Sequence, residues 1–171
     1  MNKINHFISA LAVTLVFARN DPIGLLLAVL FSLVFGVLID LDHVFNKKAP
    51  WYMKRTWIQE PTGLVFLGLP LGLILRTFDP TFFWLVMAPY ATHIVLDYLC
   101  IFPAKPFAPF FDYTKREGLG VFIPDTLLRR SENSSLWHKR VKEKGIRGVS
   151  ENYFTPIAIS MLLLVILLKF F

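Results

Sequence analysis

The sequence predicts an all-α fold, a polytopic membrane bundle of about five transmembrane helices arranged as two helical hairpins plus a C-terminal helix. Three observations predict it. The 171 residues are 55% hydrophobic and only 18% charged, with a mean hydropathy of +0.55, whereas roughly a quarter of a soluble domain is charged. The apolar residues gather into five runs: Ile4 to Ala18, Pro22 to Ile39, Thr62 to Phe78, Thr81 to Phe102 and Tyr153 to Phe171. Basic residues also divide unevenly between alternate sides of those runs. Lys3, four residues between 40 and 61 and ten between 103 and 152 fall on one side, and Arg19, Arg76 and Lys169 on the other. That asymmetry predicts cytoplasmic main loops and a C-terminus on the opposite side. The single cysteine, Cys100, leaves no disulfide framework and no all-thiolate zinc site within the chain.

The first run is short for a crossing. It reads as a retained helix and not as a signal peptide, because one lysine precedes it, no small-x-small cleavage site follows, and the next run begins within a few residues. The second, fourth and fifth runs have the length to span a hydrocarbon core ~30 Å thick. Three helices open on an acid and a proline: Asp21-Pro22, Glu60-Pro61 and Asp79-Pro80. An acid at a helix start meets the dipole, and proline at the first position loses no hydrogen bond. One alignment has two readings, a duplicated helical hairpin or coincidence in a leucine-rich chain. RNDP to VLID aligns with RTFDP to IVLD, so that Arg19 precedes Asp40 by the same 21 residues that separate Arg76 from Asp97. Residues 1–102 form the expected four-helix bundle, 103–152 a basic, aromatic-rich interfacial loop, and 153–171 the last helix.

Polar residues collect where this topology meets the cytoplasm. His6, the Asp40, Asp42, His43 cluster, Glu60, and the His93, Asp97 pair all fall at that boundary. His93 and Asp97 are four apart and share a helical face, as do Asp40 and His43, three apart. Ionisable groups within a spanning helix cost about 2.5–3.5 kcal/mol each on insertion scales, so they face a cavity, a partner or an ion. Taken singly, each has a plainer reading: a solvated helix end, a cap, or a hydrogen-bonded pair. Together they form a ligand set of imidazole and carboxylate, which suits Zn, or Mn or Fe, better than Ca or Cu(I).

The His on the first helix, G-x-x-x-D-x-D-H closing the second (Gly36, Asp40, Asp42, His43), and H-x-x-x-D before a proline-rich turn (His93, Asp97, Pro103, Pro106, Pro109) carry a resemblance. The chain resembles the YdjM-like family of inner-membrane metal-dependent hydrolases through Phe111, and more distantly the zinc-dependent phospholipase C group. Family members often carry an H-R-x-x-T-H-S type segment before the third helix. This chain reads RTWIQEP there, which leaves Arg55 and Glu60 in its place. GVSE is similar to a late G-S-x-x-E region and adds Glu151 as a ligand candidate. The resemblance implies metal-assisted hydrolysis of a phosphoester. Metal ligands are then His6, Asp40, His43, His93, Asp97 and Glu151, and catalytic candidates are Glu60 and Asp42. Arg55, Arg129, Arg130, Lys139 and Arg140 are the expected phosphate partners of a membrane lipid or other small phosphoester, and no nucleic acid is expected. A metal-ion or proton transporter using the same cluster, and a non-catalytic membrane scaffold, are the competing expectations.

Overall fold

The computed structural model describes residues 3–41, 56–99, 110 and 146–170, with 99 and 146–154 as backbone alone. Its elements are α1 (Lys3–Phe17), α2 (Pro22–Gly36), α3 (Pro61–Arg76), α4 (Pro80–Leu99) and α5 (Ile146–Phe170), with no strand among the described residues. Short 3-10 turns, Leu38–Leu41 and Trp57–Gln59, follow α2 and precede α3. Among the described residues one helical stretch is long and apolar enough to cross a membrane, Pro22–Leu41. The fourth run has comparable length, but Tyr90, His93, Asp97 and Tyr98 reduce its apolarity. The apolar part of α5, Thr155–Phe170, is shorter.

The architecture turns inside out what length alone would rank. Helix α4 packs against α1, α2 and α3, and the short α1 shares the centre with it, packed against α2, α4 and α5. Its sequence explains the position. Asn5, His6, Ser9, Ala10, Ala12, Thr14 and Leu15 are buried, and all but Leu15 are small or polar residues that let neighbours approach closely. The outer surface is apolar instead, with Leu26, Leu30, Leu33, Leu71, Leu73 and Leu167 exposed. Alternate burial of polar residues and exposure of leucine is the pattern of a chain whose solvent is lipid.

Gly36 brings α1 and α2 together. A Cβ there would stand 2.6 Å from the Ala10 Cβ, a separation no real pair adopts, so only glycine fits. At the opposite end, Arg19 pairs with Asp21 at 2.5 Å and with Asp79 at 3.6 Å. Lys169 Nζ donates to the Ala18 carbonyl at 2.6 Å, tying the end of α5 to the same turn. The acids of the two hairpins thus meet at one arginine.

Candidate metal centre

The three acid-proline starts divide in the folded chain. Asp21 accepts from the Gly24 amide at 2.6 Å and caps α2. Asp79 accepts from the Thr81 amide at 2.8 Å and from the Thr81 hydroxyl. The Gly24 amide, followed by Arg19, holds the Asp21 carboxyl below its usual range. The Thr81 hydroxyl and amide do the same for Asp79. Glu60 has the backbone of an N-cap, yet its side chain makes no capping hydrogen bond. It is fully buried, and its Oε2 accepts from the Tyr98 hydroxyl at 2.7 Å. A carboxylate that leaves its own helix start for the hydroxyl of a half-buried tyrosine is not serving as a cap.

Tyr98 adjoins Asp97, and the turn carrying Asp40 packs against Trp57–Gln59, the turn that ends at Glu60. Glu60 therefore belongs to the end of the bundle where the histidines lie. There, the ends of α2 and α4 and the start of α1 converge. His93 Nδ1 lies 3.0 Å from the carbonyl oxygen of Gly36. A carbonyl only accepts, so Nδ1 carries the proton and the Nε2 of neutral His93 presents a lone pair. Two carboxylate oxygens stand before it: Asp40 Oδ1 at 3.5 Å and Asp97 Oδ2 at 3.3 Å. The other oxygen of Asp97, Oδ1, is 3.2 Å from His6 Nε2. Asp97 thus faces the Nε2 atoms of both imidazoles, whose rings contact each other with centroids 4.3 Å apart.

These approaches are close but not aligned as hydrogen bonds. Both ring nitrogens of His6, and Nε2 of His93, are buried without a hydrogen-bond partner. A lone pair facing carboxylates in a buried setting is repulsive unless a proton or a cation lies between them. One ligand atom from each of His6, Asp40 and His93 falls within 4.8 Å of the others, and the three could hold a metal ion. Metal bonds of ~2.0–2.2 Å set neighbouring ligand atoms roughly 3 to 4 Å apart. Within the group the His93 Nε2 to Asp40 Oδ1 separation of 3.5 Å falls in that range, as do the 3.2 and 3.3 Å separations of the neighbouring Asp97 oxygens from the two histidines. The Gly36 carbonyl completes the pattern, since ligating histidines commonly donate their second N–H to a backbone carbonyl or carboxylate.

Of the residues expected from the sequence, the structure brings together His6, Asp40, His93 and Asp97, with Glu60 joined to Tyr98 on the same side. Asp42, His43, Arg55, Arg129, Arg130, Lys139 and Arg140 lie outside the described residues, as does the side chain of Glu151, which stands on α5. Two participants were not anticipated. Tyr98 left no motif, and only its position beside Asp97 hints at it. The Gly36 carbonyl carries no side-chain signature at all, although a glycine four residues before Asp40 is its trace.

No curated protein and no solved structure matches the chain. The family model described as YdjM inner membrane protein matches residues 1–170. With nearly the whole length covered, and with its histidines and aspartates converging from three segments, the chain belongs to the YdjM inner membrane protein family.

Proposed function

We propose that this membrane protein is a metal-dependent hydrolase of a lipid-linked phosphoester, built as a multi-pass bundle and working at the cytoplasmic face. The observation that carries the reading is His93, fixed by the Gly36 carbonyl so that Nε2 faces Asp40 and Asp97 beside a second buried histidine. His6, Asp40 and His93 would hold the ion, Zn or alternatively Mn or Fe, with Asp97 orienting or joining the set. A divalent cation bound there supplies Lewis-acid stabilisation to a phosphoryl oxygen. Glu60, oriented by the Tyr98 hydroxyl, is the group to accept a proton from the attacking water. Asp42 remains a second candidate for that role. Arg55, Arg129, Arg130, Lys139 and Arg140 would gather the phosphate.

The uneven distribution of Lys and Arg supports cytoplasmic loops, and with them the side of the chemistry. A metal-ion or proton carrier would need ligands toward the opposite end as well. Among the described residues the acids there, Asp21 and Asp79, are both paired with Arg19. The residues therefore favour an enzyme over a carrier.

Elemental analysis of the purified protein, with hydrolysis of phospholipid vesicles followed as headgroup release, tests the proposal. At least one transition-metal ion per chain is expected, with turnover lost on chelation and restored by Zn. His93→Ala should lower metal affinity by more than about tenfold. Protein isolated without metal and indifferent to added Zn would return the cluster to a hydrogen-bonded scaffold.

A further inference from the structure

A groove of about 600 Å³ runs between α1, α4 and α5, away from the polar cluster. Its floor on α4 is a helical stripe, Trp84, Ala88, Ala91 and Val95, and small residues keep it open. Val13 and Phe17 of α1 form one wall, and Ala158 and Met161 of α5 the other. Thr92 adds no polar demand, because its hydroxyl donates to the Ala88 carbonyl of its own helix at 2.8 Å.

The groove has a direction. Phe17 stacks on Trp84 with ring centroids 5.0 Å apart at one end of the antiparallel α1 and α4 pair, and His6 meets Asp97 at the other. Its last lining residues toward the cluster are Ser9, one turn along α1 from His6, and Leu96, beside Asp97. From Trp84 to Leu96 the helical rise gives about 18 Å, close to the ~15 Å of one leaflet of hydrocarbon. Over that length only Ser9 and Thr92 interrupt an otherwise apolar lining, which asks for an occupant without polar groups. A single hydrocarbon chain fits.

We infer that this groove is the binding site for one hydrocarbon chain of the lipid substrate, seated so that the headgroup end lies toward His6, Asp40, His93 and Asp97. The inference rests on the proposed hydrolysis of a lipid phosphoester and supplies its substrate class: a lipid recognised by its chain as well as its phosphate. The groove orders the chain along α4, so the ester linkage arrives at the depth of the histidines without a search by the headgroup.

Photolabelling tests it. The full chain is placed in nanodiscs containing a phospholipid with a diazirine at the end of one acyl chain, irradiated, and mapped by peptide mass spectrometry. Label should concentrate on Val13, Met87 and Met161 over the exposed Val65 and Ile74 of α3 by about tenfold. Ala91→Phe, whose ring displaces roughly two methylenes, should cut groove labelling about tenfold while metal content stays unchanged. The wild-type map alone is decisive: label spread evenly over lipid-facing residues would reduce the groove to ordinary annular lipid and overturn the proposal, as would undiminished groove labelling in Ala91→Phe. The two readings fail separately. Metal-dependent turnover with an even map removes the groove and keeps the hydrolase, whereas a concentrated map on metal-free protein does the reverse.

Discussion

Glu60 shows how much one side chain's partner decides. From sequence it has the same position as Asp21 and Asp79, an acid before a proline, and all three read equally well as helix starts. The fold separates them, because Asp21 and Asp79 bind backbone amides and an arginine near the surface, whereas Glu60 is buried against Tyr98. Glu60→Gln keeps the volume and can still accept the tyrosine's hydrogen bond, so metal content and thermal stability should hold. Turnover should fall about 10²- to 10⁴-fold if Glu60 moves the proton. Tyr98→Phe should give a smaller loss of turnover, because the carboxylate loses the hydroxyl that orients it. An active Glu60→Gln protein would leave the chemistry to Asp42 or another base. The histidines and aspartates were legible in the sequence because ionisable residues stand out in apolar runs. Tyr98 was not, since a tyrosine near a membrane boundary is ordinary there.

Elements meet at glycines in this bundle, and Gly36 has the most depending on it. Its missing Cβ admits Ala10, and its carbonyl fixes the proton on His93. Gly36→Ala should push α1 from α2, destabilise the protein by about 1–3 kcal/mol, and draw the carbonyl away from Nδ1, lowering metal occupancy. Ala10→Gly restores the space, so the double variant should recover occupancy, less about 0.5–1 kcal/mol for a glycine inside a helix. Melting temperature and elemental analysis on the three variants check it. If Gly36→Ala binds metal as the parent does, the carbonyl is not what orients His93. Helix positions were readable from apolar runs and acid-proline starts. That the short α1 would share the centre with α4 was not. Run length favours the second, fourth and fifth, whereas the buried face of α1 depends on small and polar residues that hydropathy counts against it.

Across the whole molecule, the repeat gains meaning from the fold. Asp40 and Asp97, each 21 residues after an arginine, both come within 3.5 Å of His93, and at the far end Arg19 of one unit pairs with Asp79 of the other. Sidedness is tested by a reporter: fused after Phe171 it should behave as extracytoplasmic, and inserted near Gly118 as cytoplasmic. The reverse pair of results would put the His and Asp cluster on the other face. The sequence located this cluster because charge is rare in lipid, but distances between helices are written nowhere in it. The central place of α1 also bears on the order of synthesis. A ribosome releases α1 first and α5 last, yet Thr155 donates to Asn5 at 2.9 Å, beside His6, from 150 positions along the chain. The nascent protein must therefore leave the Asn5 face of its first helix unpacked until its last helix has been made.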